Sequence, residues 1–261
     1  MIIDPGHGGT DPGAVSGSFK EKDFTLTICL KVREYLLANY EVTILMTRTT
    51  DKTVSLSTRT NYANTNHGDY YCSIHINAGG GTGWESYIYN GSVSTFTINA
   101  QKTIHATVMG AIGAKYDVKD RGKKKANFHV LREANMPAIL LENLFIDTTK
   151  DLNLLRNSAF TNDLSKAIAI GLANALSLPK KSVPQTLYRV IAGSFTNETG
   201  AKSRKAFIES HGIEAIVISI QINGKTYYRV QAGAFSQRAN AEARLTQVKA
   251  IGISDAYILT D

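Results

Sequence analysis

The chain has 261 residues, 43% of them hydrophobic and 20% charged, with a formal net charge of +7. This is ordinary globular composition with room for a large domain and a smaller one, and it excludes a disordered or low-complexity chain. No apolar run is long enough to span a bilayer, no secretory leader is visible ahead of the first strand-like segment, and Cys29 and Cys72 lie in apolar stretches as buried thiols, not as a disulfide framework.

The opening "MIID" predicts a strand, and residues 20–39 predict a helix. "EVTILMTR" predicts a second strand, followed by a helix around "LSTRTNYANTN". "DYYCSIHIN" and "GWESYIYN" predict strands three and four. Residues 94–116 and 150–177 have helical apolar spacing, with the short strands "FHVLR" and "PAILLEN" between them. Strand and helix segments alternating in this way predict an α/β domain, a mostly parallel sheet flanked by helices, over residues 1–178.

A proline- and lysine-bearing linker is expected at 179–187. After it comes an internal repeat. The segments starting at Thr186 and Thr226, offset by 40, share 12 identities in 33 positions, where about two are expected by chance. Each copy reads strand, helix, strand. Two copies make βαββαβ, a small ferredoxin-like α+β domain over 188–261 with helices on one face. Most of the net charge lies from Pro179 onward, the linker lysines included: 11 Lys and Arg face 6 Asp and Glu, against 18 and 16 before it. A cationic domain suits an acidic polymer as partner, whether nucleic acid or anionic glycan.

Four residues of the first domain stand out: His7, Glu21, His75 and Glu142. His7 lies in the glycine- and proline-rich turn "DPGHGG", which presents a side chain instead of packing it. His75 and Glu142 lie near the ends of predicted strands, and ligand sites of open α/β sheets lie outside strand carboxyl ends. Two histidines and a carboxylate with an open position make a common catalytic zinc site, and a further carboxylate can act as general base. Each residue also has an inert reading. His7 fits a turn over an anion-binding nest, although no GK[ST] follows it. His75 fits a hydrogen-bonded polar group on a partly solvated face. Glu142, after "PAILL", requires a partner or a function. His129 and Glu85 are second-rank candidates, and Asn77 has no assigned role. His67, His105 and His211 read as surface or loop residues, and "RGKKKAN" as a solvated loop that could rim an acidic-substrate groove.

"IIDPGHGGTDPGA", "KEKDFTL", "LSTRTNYAN", "SIHINA", "GWESYIY" and "RGKKKANFHVLREANMPAILLEN" together resemble the zinc-dependent N-acetylmuramoyl-L-alanine amidases of bacterial and phage cell-wall lysis. The similarity runs over essentially all of residues 1–177. It implies His7, Glu21 and His75 as zinc ligands and Glu142 as the catalytic glutamate. The implied reaction cuts the amide between the lactyl group of N-acetylmuramic acid and L-alanine of the stem peptide with zinc-activated water. The repeat resembles a SPOR domain, a peptidoglycan-binding module, and the pairing resembles sporulation-associated autolysins of Bacillus-type bacteria. The resemblance implies peptidoglycan glycan strands and stem peptides as partners and action at the bacterial wall after secretion or lysis; no nucleic-acid partner, no membrane span and a monomer are expected beside it. Amidase action leaves a lactyl carboxylate on each stripped sugar, so the cationic domain is expected to favour stripped glycan. Rival readings are a catalytically silent wall-binding protein, another zinc amide hydrolase, and an RNA-binding module. The repeat lacks the aromatic pattern the last one needs.

Overall fold

The computed structural model of the chain describes residues 1–181 and 186–260. The chain divides into two compact units, Met1–Lys181 and Ser182–Asp261; of the expected linker, residues 182–185 lie outside the described residues.

The first unit runs β1 (Ile2–Pro5), a small hairpin of β2 (Val15–Ser16) and β3 (Phe19–Lys20), α1 (Glu21–Asn39), β4 (Leu45–Met46), α2 (Leu56–Thr65), β5 (Tyr71–Asn77), β6 (Trp84–Tyr89), α3 (Thr95–Tyr116), β7 (Asp120–Ala126), α4 (His129–Arg132), β8 (Ala138–Phe145), α5 (Thr149–Arg156) and α6 (Ser158–Ala175). Its six-stranded sheet has the order β4-β1-β5-β8-β6-β7. The strands β4, β1, β5 and β8 run parallel, β6 is antiparallel to β8, and β7 is parallel to β6. Chain length between strands explains the reversal. Only residues 78–83 join β5 to β6, whereas a parallel crossover needs a dozen or more. The central strands are buried on both faces, as continuous apolar runs such as "PAILL" require. Helices α1, α3 and α6 cover one face through Ile28, Val32, Leu36, Ile104, Val108, Leu164 and Ile168. A smaller cluster under α2 and α4 covers the other with Ile2, Ala63, Tyr71, Val130 and Leu140.

Several local readings change. "FHVLR" is not a strand: its last four residues form the single-turn helix α4. "RGKKKAN" is not a free loop, because Arg121–Ala126 lie in edge strand β7. The helix expected over 150–177 is two helices. Asn157 adopts extended backbone, ends α5, and caps α6 by accepting from the N–H groups of Ala159 and Phe160. His105 is buried on α3 between Ser86 and Asp120, whereas His67 and His211 are exposed. Cys29 and Cys72 are free, buried thiols.

The second unit runs β9 (Tyr188–Phe195), α7 (Glu198–Ser210), β10 (Ile216–Ile222), β11 (Lys225–Phe235), α8 (Arg238–Ala250) and β12 (Tyr257–Thr260). Its antiparallel sheet has the order β10-β11-β9-β12. Val190, Ala192, Val230 and Ala232 share one face by the two-residue strand period and pack against Ala201, Ile208, Ala241 and Val248 of both helices. The repeat extends to single atoms. Arg204 donates to the Ala192 carbonyl at 3.1 Å, and Arg244 to the Ala232 carbonyl at 3.0 Å.

Candidate active site

The strand β1 ends in the turn that carries His7, whose backbone sits in the left-handed region at φ 59°. Such a turn exposes carbonyls that need donors, and two buried arginines supply them. Arg48 donates to the Pro5 and Gly6 carbonyls at 3.1 and 2.8 Å. Arg59 donates to the Pro5 and His7 carbonyls, both at 2.6 Å. Arg59 is itself neutralised by Asp4 at 2.7 Å, which also accepts from Thr47 and Ser73. Sequence reasoning assigned nothing to Asp4, Arg48 or Arg59. The available signal was an aspartate closing an apolar strand, which requires a buried partner.

Glu21 opens α1 and is 3% exposed. Its two oxygens accept from the backbone N–H groups of Ile76 and Ala14, each at 2.9 Å. The same oxygens meet His75 Nδ1 at 3.0 Å and His7 Nε2 at 3.1 Å. Ligating atoms of His7, Glu21 and His75 all lie within 4.8 Å of one another. The other nitrogen of His7, Nδ1, lies 2.8 Å from Asp11, a partner that fixes which nitrogen faces the cluster.

Two glycines let these side chains converge. A Cβ on Gly6 would fall 2.4 Å from the His75 ring. One on Gly13, at φ 65°, would fall 2.5 Å from Glu21 Oε2 and 2.6 Å from the His7 ring. Gly13→Ala is therefore expected to displace both groups and to weaken metal binding by about tenfold or more, the cost of disturbing a ligand's support. Competition with a chromophoric chelator measures this.

Glu142 sits on β8 directly across from His75 on β5. Its Oε2 is buried and has no hydrogen-bond partner among the described residues. Burial raises its pKa to about 7; the negative charges of Glu21 and Glu85 add to this, against the opposing pull of His75 and His7. Burial disfavours protonated His7, but the hydrogen bond and charge of Glu21, then those of Asp11, outweigh it and carry the imidazole to about 9. His75 is likewise raised, with burial opposed by Glu21 and Glu142. Two residues beyond Glu142 the strand bulges, with buried Leu144 in the left-handed region at φ 70°.

His7, His75 and Glu142 open into a cavity of about 590 Å³, walled on one side by Val54, Leu56, Phe128, Val130 and Leu140. His129 also lines it from α4. Glu85 does not join the cluster. It is 1% exposed and binds Arg121, Lys124, Asn77 and Tyr87.

The first unit is thus an α/β domain with a two-histidine, one-glutamate cluster at strand ends and a partnerless carboxylate beside it, the donor set of hydrolytic metal centres. A family model described as N-acetylmuramoyl-L-alanine amidase matches residues 1–174, and one for the SPOR domain matches 184–260. The chain belongs to the N-acetylmuramoyl-L-alanine amidase family and carries a SPOR domain. It is 48% identical over 219 residues to the sporulation-specific N-acetylmuramoyl-L-alanine amidase of Bacillus subtilis (strain 168), covering 84% of each chain. It is 46% identical to the amidase CwlM of Bacillus licheniformis over the same shares. A crystal structure of an N-acetylmuramoyl-L-alanine amidase from Clostridium difficile 630 superposes with a TM-score of 0.63 at 34% identity, over 67% of this chain and 95% of that one.

Proposed function

We propose that this chain hydrolyses the amide between the lactyl carbonyl of N-acetylmuramic acid and L-alanine of the stem peptide, with zinc held by His7, Glu21 and His75 and with Glu142 as general base. The observation that supports it most is that His7, Glu21 and His75 bring their donor atoms together, while His7, His75 and the buried Glu142 carboxylate, whose Oε2 has no partner among the described residues, line one cavity. The donors suit zinc, which favours imidazole nitrogen with one carboxylate and leaves a position open. Zinc, when bound, supplies Lewis acidity that polarises the scissile carbonyl and acidifies water.

Asp11 accepts from His7 Nδ1 and keeps Nε2 turned to the cluster. Glu142 accepts a proton from the attacking water as its oxygen bonds to the carbonyl carbon. The same carboxyl then gives the proton to the alanine nitrogen as the C–N bond breaks, which frees an amine and leaves a lactyl carboxylate. Apolar side chains from Val54 to Leu140 line the cavity in which this exchange takes place. Release of free amine from an N-acetylmuramoyl-L-alanyl peptide tests the reading: loss with chelator and recovery with added zinc support it, and activity indifferent to chelation overturns it.

The SPOR unit holds the enzyme on wall glycan, where it acts. Its excess of Lys and Arg favours strands already stripped of peptides. That preference for stripped over intact wall is expected to shrink as salt rises from about 0.05 to 0.5 M in pelleting assays, because exposed charges are screened beyond about 10 Å at 0.1 M; a salt-independent preference would refute the electrostatic origin.

A further inference from the structure

The cations of β7 take no part in the reaction above. Cross-strand pairing sets His75, Glu142 and Glu85 side by side on β5, β8 and β6, and residues directly opposite share a sheet face. The row continues onto β7. Trp84 pairs with Asp120 and Ser86 with Lys123, so Arg121 and Gly122 both lie opposite Glu85. Arg121 Nε donates to Glu85 Oε2 at 2.9 Å, and the Lys124 ammonium donates to the same oxygen. The other oxygen accepts from Asn77 at 2.7 Å and Tyr87 at 3.1 Å.

Glu85 is therefore saturated, and two cations share its one charge. Arg121 stacks on Phe145 at 4.7 Å, and Lys124 lies over Tyr87 at 5.7 Å. Tyr87 in turn packs on Phe128, which lines the cavity beside Glu142. Arg121 and Lys124 stay 27% and 36% exposed, while Glu85 is 1% exposed. A solvated edge strand kept from aggregating by lysines explains exposed Lys123 and Lys125. It does not explain a buried carboxylate that holds two other cations in fixed poses. The excess positive charge, preorganised and facing outward, fits an anion.

We propose that Arg121 and Lys124 form a subsite for a free carboxylate on the leaving stem peptide, at the residue after the alanine. This rests on the amidase reading above. Two strand spacings, roughly 10 Å, separate Glu142 from β7; the reach of the two side chains shortens that to one or two residues of extended peptide.

The test compares two soluble substrates: N-acetylmuramoyl-L-alanyl-glutamate with both glutamate carboxylates free, and the same compound with both carboxyls amidated. The zinc-loaded full chain is expected to show a KM about tenfold lower for the acid, the factor that corresponds to one useful charge contact, and the ratio is expected to fall with salt. Arg121→Gln and Lys124→Gln should each bring the ratio toward one, and Lys124→Arg should keep it. The ratio compares substrates on one preparation, so partial misfolding cancels; if no variant folds, the native ratio and its salt dependence decide. Equal KM values for acid and amide in the native protein, or a ratio that survives both glutamine variants, overturn the subsite and leave the amidase reading standing. Hydrolysis of neither substrate overturns the amidase reading, and the subsite with it.

Discussion

Glu142→Gln is expected to lower kcat by about three orders of magnitude while zinc remains bound, within the range a positioned general base contributes. Glutamine preserves the shape of the side chain across from His75, so the donor cluster of His7, Glu21 and His75 keeps its neighbours. It removes a buried carboxylate oxygen in the cavity that has no partner among the described residues. Burial holds the Glu142 pKa at about 7 without metal, and a bound cation draws it lower. Because the base works only when ionised, kcat should fall as pH drops below the value in the loaded enzyme, and the variant's residual rate should lack that limb. Parallel metal analysis and pH profiles check this; an E142Q protein with zinc and near-native turnover would contradict the assignment.

His7→Ala is expected to weaken zinc binding by more than about a hundredfold, since disturbing a ligand's outer partners alone costs 10–100-fold. The pH dependence of native binding follows from the same group. In the metal-free site the His7 imidazole is raised to about 9, so near pH 7 it carries a proton that zinc must displace; His75 is raised as well. Apparent zinc affinity should therefore rise with pH up to about 9, and binding at pH 7 should release protons. Calorimetry in buffers of different ionisation enthalpy reads that release, and binding without it would contradict protonated ligands.

The strand ends "DPGHGG", "SIHIN" and "LLEN" and the carboxylate at the head of the first long helix were legible because each is a local pattern. The structure brings His7, Glu21, His75 and Glu142 together on them. The βαββαβ unit was legible because a 40-residue repeat states the same design twice, down to Arg204 and Arg244. What stayed hidden depends on long-range pairing. Nothing local seats β6 beside β8 instead of β5, or assigns Arg121 and Lys124 to a carboxylate some 36 residues earlier. The ion pair of Asp4 with Arg59, 55 residues apart, supports the His7 turn from outside any motif spacing. Single residues also overrode periodicity: Asn157 split a continuous helical pattern by capping a new helix.

Chain-end analysis of purified peptidoglycan digested with and without a chelator tests the central claim most directly. New L-alanine amino termini that vanish with chelator and return with zinc are the predicted result. New reducing sugar ends, free glucosamine amines, or no new ends at all would contradict it.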